Sequence, residues 1–93
     1  MEVGILEIDI SIGGIRSLKE KRKILKSTIT RLKNKFNLSV AEVGYHDKWQ
    51  RATLGVAAVS TDKRYLDKIL QKSIDMLEKE GHFELIDYQM YFW

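Results

Sequence analysis

The sequence predicts an α+β sandwich, a four-stranded antiparallel sheet with two helices on one face. Three observations lead there. Apolar residues alternate with period two at both ends of the chain, and β-favouring runs occupy its middle. Two segments with helical spacing, each opened by a capping residue, lie between those strands. A short polar connection separates the two middle strands, as a hairpin requires.

The first strand runs from Val3 to Ile12, where Leu6, Ile8, Ile10 and Ile12 alternate with Glu7, Asp9 and Ser11. Gly13-Gly14 ends it. Ser17-Leu18-Lys19-Glu20 then has capping-box spacing, with serine at the N-cap and glutamate three residues on. Leu18, Leu25, Ile29, Leu32 and Phe36 follow within about 40° of one direction at roughly 100° per residue, so an amphipathic helix extends to about Lys35. Leu38 to Tyr45 and Ala52 to Val59 are the middle strands, joined through Tyr45-His46-Asp47-Lys48-Trp49-Gln50. The second carries no charge and reads as a central strand, covered at least in part on both faces. Asp62 caps a second helix with Leu66, Ile69, Leu70, Ser73 and Leu77 inward and Gly81 as its stop. Phe83 to Trp93 alternates again as the last strand.

The order is therefore β-α-β-β-α-β. Right-handed crossover of each βαβ unit makes this a ferredoxin-like sandwich with the first and third strands central. Residues 1–93 form a single domain, since the chain contains no linker, repeat or proline. Without cysteine it has no disulfide framework and no thiolate chemistry. No apolar run is long enough to span a bilayer. Glu2, Glu7 and Asp9 fall where a signal peptide would need apolar residues, so a cytoplasmic location is expected.

Charge is distributed unevenly. Nine of the twenty residues from Arg16 to Lys35 are Lys or Arg, and Glu20 is the one acid among them. That segment carries +8, while the other 73 residues carry 7 basic and 12 acidic side chains. On a helical wheel Lys19, Arg22, Lys23, Lys26 and Lys33 share one flank, between roughly 40° and 140° from the apolar direction. Lys21, Arg31 and Lys35 fall on the other. A merely solvated helix would mix signs at i±4; this one does not, which favours a polyanion such as RNA. Nothing in the stripe reads bases, so such binding would rest on charge and shape.

Glu7 and Asp9 should point outward on the open sheet face, where carboxylates would repel phosphates. Asp87, Gln89, Tyr91 and Trp93 would join them from the last strand, and Tyr91 and Trp93 there suit a homodimer interface. Trp49, set among polar residues and beside Arg51, reads first as a packing or partner anchor and second as a surface for a base. Catalytic, metal and cofactor signatures are lacking. His46-Asp47 has no nucleophile to serve, and two histidines with scattered acids have no metal spacing. Gly13-Gly14 lacks the rest of a dinucleotide fingerprint.

Three stretches carry a resemblance to a known family: Ser17-Leu18-Lys19-Glu20-Lys21-Arg22, Asn37-Leu38-Ser39-Val40-Ala41-Glu42-Val43 and Trp49-Gln50-Arg51-Ala52-Thr53-Leu54-Gly55-Val56-Ala57. In this order they resemble the YlxP-like family of small bacterial proteins, a domain of unknown function. The resemblance implies a ferredoxin-like fold. It also implies a ribosome- or RNA-linked role, since the family's gene often lies near those for translation initiation and ribosome-binding factors. It supplies no catalytic residues. Gly44-Tyr45-His46-Asp47 departs from the family's commoner acidic-histidine version, so nothing is carried over to His46.

The expectation is a non-catalytic protein that binds structured RNA or a ribosomal particle through Arg16, Lys19, Arg22, Lys23, Lys26, Arg31 and Lys33, with Lys35 assisting. Trp49, Arg51, Tyr91 and Trp93 would serve a partner or subunit contact. The alternative expectation is a dimeric assembly or regulatory module that engages a protein through the Trp49 hairpin or the open sheet face.

Overall fold

The computed structural model describes residues 1–93. Its elements are β1 (Glu2–Ile12), α1 (Leu18–Lys35), β2 (Ser39–Gly44), β3 (Arg51–Ser60), α2 (Lys63–Lys79) and β4 (Phe83–Phe92). The sheet order is β2-β3-β1-β4, and every neighbouring pair is antiparallel. The two strands with the most regular apolar alternation, β1 and β3, are central, and both helices cover one face. This is the ferredoxin-like sandwich.

The core follows from the alternation. Leu6, Ile8, Ile10 and Ile12 of β1 lie beside Ala52, Leu54, Val56 and Ala58 of β3, all buried against the helices. α2 contributes Leu66, Ile69, Leu70, Ile74 and Leu77. Ser73 is buried among them and satisfies its hydroxyl by donating to the Ile69 carbonyl at 2.8 Å. Gly4 permits a close approach of α2 to β1. A Cβ there would stand 3.0 Å from Leu70 Cδ1 and 3.3 Å from Leu66 Cβ.

Four local features differ from the sequence reading. Ser17 accepts from the Glu20 N–H at 3.1 Å as a capping box requires, but the Glu20 carboxylate accepts from the Arg16 N–H at 3.0 Å, one residue before the cap. α2 stops at Lys79 with Glu80 as its C-cap in extended conformation. Gly81 is thus beyond the stop, and Gly14 is the glycine with positive φ, +74°. The outer face of β3 has no second layer over it. Thr53, Gly55 and Ala57 are half-buried there because their neighbours on β1 and β2 shield such small side chains.

The fourth difference concerns α1. Its buried residues are Lys21, Leu25, Thr28 and Leu32, whereas Ile29 and Phe36 are only partly buried. At roughly 100° per residue the buried direction is turned by about 45° from the line of purely apolar residues. A lysine and a threonine occupy positions that composition alone would have placed in water.

Candidate functional site

The rotation of α1 decides where its charges go. Lys19, Arg22, Lys23, Lys26 and Lys33 now lie between about 90° and 190° from the buried direction, along the side and crest of the helix. All five are exposed. From Lys19 to Lys33 the stripe is about 21 Å long at 1.5 Å per residue. None of the five has a carboxylate within 4.0 Å; the ion pairs of the chain are Lys21–Glu42, Arg31–Glu80 and Arg51–Asp9. Arg16 is exposed at the turn leading into the helix.

Arg31 and Lys35 lie on the opposite flank, which looks toward α2. They line a groove of about 630 Å³ together with Lys72, Asp75, Met76 and Lys79. Arg31 is held within the molecule, 2.6 Å from Glu80 and 3.2 Å from Thr28 Oγ1. Lys35 lies 5.9 Å from the centroid of the Phe36 ring. Of the residues assigned to a phosphate-binding surface, Arg31 therefore stands apart, because its guanidinium already has a carboxylate.

Lys21 departs furthest from its expected place. Only 1% of it is exposed. Its ammonium lies 2.7 Å from Glu42 Oε2, donates to the Tyr45 carbonyl at 2.6 Å and donates again to the Lys48 carbonyl. The Glu42 contact is ionic in character, since Oε2 has no well-aligned donor. Three acceptors around one buried ammonium offset its desolvation. The same three contacts bind α1 to β2 and to the connection between β2 and β3. A signal for this was present: Lys21, Leu25, Thr28 and Leu32 follow helical spacing, and Glu42 is the one charge in β2. Hydropathy conceals it, because lysine scores as a surface residue whatever faces it.

The connection between β2 and β3 holds an aromatic group. Tyr45 adopts φ +60°, the left-handed region. The Arg51 guanidinium carbon stands 4.6 Å from the Tyr45 ring centroid, within cation–π range. Trp49 is 39% exposed and shares with Ser11, Tyr45, Lys48, Gln50 and Arg51 an open groove of about 570 Å³. His46 places Nε2 3.0 Å from the Glu42 carbonyl and is otherwise exposed.

The open face of the sheet has two halves. Register puts Asp9 beside Asp87 and Glu7 beside Gln89. Asp9 accepts from Thr53 Oγ1 at 2.7 Å and lies 3.4 Å from Arg51. Toward the other end Ile5 faces Ala57 on one side and Tyr91 on the other. Val3 and Trp93 exchange both backbone hydrogen bonds, and Trp93 is 82% exposed. One half is acidic and the other uncharged. Tyr91 and Trp93 are thus on the face expected of them, far along the sheet from Trp49. No helix is long and apolar enough to cross a membrane.

These features define a ferredoxin-like α+β domain with a basic, solvent-facing helix. The chain belongs to the family described as Protein of unknown function (DUF503), whose model matches residues 3–90. It is 43% identical over 82 residues to the Uncharacterized protein YlxP of Bacillus subtilis (strain 168), covering 88% of this chain and 89% of that protein. Among solved structures, a designed protein with ferredoxin fold, LFR1 1, matches with a TM-score of 0.61 at 10% identity, covering 97% of this chain and 85% of the design. The structural-genomics protein YJCS matches with a TM-score of 0.57 at 12% identity over 96% of each chain. At such low identity these two likenesses concern the fold alone.

Proposed function

We propose that this protein is a non-catalytic RNA- or ribosome-binding protein that holds the phosphate backbone along the exposed flank of α1. The observation that carries the reading is the stripe itself. Five cations, Lys19, Arg22, Lys23, Lys26 and Lys33, share one surface without a single carboxylate partner. Three other cations are held by carboxylates, Lys21 by Glu42, Arg31 by Glu80 and Arg51 by Asp9. Clustered unpaired cations displace condensed counterions from a polyanion, and affinity then falls steeply with salt. The opposite face presents Glu7, Asp9 and Asp87, which orients a polyanion to the helical side.

Co-sedimentation with ribosomal subunits at low and high salt tests this, alongside the variant Lys19→Glu/Lys23→Glu/Lys26→Glu. Salt-sensitive binding that the variant loses, with its circular dichroism unchanged, is the expected result. Binding that survives charge reversal sinks the reading.

A second reading is favoured by the uncharged half of the sheet. Val3, Ile5, Ala57, Val59, Tyr91 and Trp93 form a face free of formal charge beside an acidic region. Two copies can meet there by a twofold axis with their carboxylates kept at the rim. This homodimer is an assembly module, and Ile5→Lys should return it to a monomer in sedimentation velocity without loss of fold. An unchanged sedimentation coefficient removes the sheet face from consideration.

A further inference from the structure

Lys21 does more than satisfy Glu42. By donating to the Tyr45 and Lys48 carbonyls it fixes the aromatic connection against the first turns of α1. Arg22 is the next residue along the helix, and Lys19 and Lys26 lie one turn to either side of it on the same flank. The connection that carries the exposed rings is thereby anchored beside the end of α1 from which the row of unpaired cations starts.

We infer that this surface takes single-stranded RNA, with an unpaired base stacked on Trp49 in the groove beside Tyr45 while the adjoining phosphates lie along Arg22, Lys26 and Lys33. The inference rests on the RNA reading above and names the form of the nucleic acid. Four observations support it. Trp49 is 39% exposed and lines an open groove of about 570 Å³. That groove has two cations at its margin, Lys48 and Arg51, and no acid among its lining residues; Asp9, which holds Arg51, also accepts from Thr53. Gln50 and Ser11 offer side-chain amide and hydroxyl groups to a base edge. Finally, Arg51 already stacks on Tyr45, so guanidinium and ring are ordered before any ligand arrives. An aromatic platform bordered by cations suits exposed bases, whereas a duplex hides its base faces within the stack. Lysine, which supplies Lys48 and most of the α1 flank, is depleted at protein–protein interfaces.

The test uses the Trp93→Phe variant, which leaves Trp49 as the one tryptophan. Its fluorescence is titrated with oligo(A), with oligo(U) and with the duplex of the two strands. Quenching by the single strands, with weaker binding of the duplex, is expected. Trp49→Ala should weaken strand binding by about ten-fold, and Trp49→Phe should recover most of it. Duplex affinity should be unmoved by either change. Thermal melts establish that both variants fold. The inference is overturned if strands bind without perturbing Trp49, if the duplex binds better, or if Trp49→Ala weakens both forms equally. Loss of self-association in Trp49→Ala with full strand affinity would assign the groove to a subunit contact and also overturn it. If the Lys19/Lys23/Lys26 reversal abolishes strand binding while Trp49→Ala does not affect it, stacking fails and the helix reading stands. If no RNA binds the native protein at low salt, both fail together.

Discussion

Lys21 and Glu42 form an ion pair of 2.7 Å that ties the first helix to the edge strand β2, with the lysine almost wholly buried. The helix that carries the unpaired cations is thus held to the sheet through one of its own. Fixing Lys21 inward also sets the rotation of α1, and so selects which lysines face water.

Breaking this pair from one side should be costly. Lys21→Met leaves the Glu42 carboxylate without its counter-charge and two carbonyls without their donor, at about 3 kcal/mol. For a domain of this size that lowers Tm by about 12–24 °C. Adding Glu42→Met should restore a large part of the loss, because the buried charge is then removed as well. Urea unfolding of the two single variants and the double variant measures the coupling; additive losses would mean that the pair does not act as a unit.

The two flanks of α1 should respond differently to neutralisation. Lys26→Gln is expected to reduce the slope of log affinity against log salt by about 0.7, the value for one phosphate contact on a single strand. Arg31→Gln should change the slope less, since Arg31 is already paired with Glu80. Equal effects in binding isotherms at several salt concentrations would mean that phosphates contact both flanks, the α2-facing groove included.

Gly4→Ala adds one methyl group against Leu70 and Leu66, where α2 crosses β1. Overpacking of this kind should destabilise by about 1–3 kcal/mol. Gly13→Ala, with nothing within 4 Å of the new carbon, is the control. A denaturation midpoint for Gly4→Ala equal to that of the control would show that the helix can shift at little cost.

Ser17→Ala removes the acceptor for the Glu20 N–H and should cost about 1 kcal/mol. Because the Glu20 side chain bonds to Arg16 rather than back to Ser17, Glu20→Ala should loosen the Gly14–Arg16 turn more than the helix start. Amide exchange at Arg16 and Glu20 separates the two effects.

Much of the architecture was legible in the residue pattern. Alternation in Val3–Ile12 and the uncharged run Ala52–Val59 identified the two central strands, because a central strand buries more of its surface than an edge strand. Asp62 was readable as an N-cap and accepts from the Arg64 N–H at 2.9 Å. The site was legible only in part. The unpaired stripe could be drawn on a wheel, with Arg31 on the other flank, but the pairing of Arg31 could not be read, since Glu80 is 49 residues away in sequence. The contact between Lys21 and the Tyr45–Lys48 backbone was hidden for the same reason.

By itself the sequence determined the order of elements, the strand faces and the concentration of cations between Arg16 and Lys35. These follow from local periodicity and composition, which neighbouring residues express directly. Tertiary structure alone decided how far α1 rotates, which cations remain unpaired and that the connection carrying Trp49 is anchored to the first turns of α1. Those outcomes depend on what a buried ammonium finds across the fold. Lys21 reaches its low-energy place only once Glu42, Tyr45 and Lys48 have been brought to it.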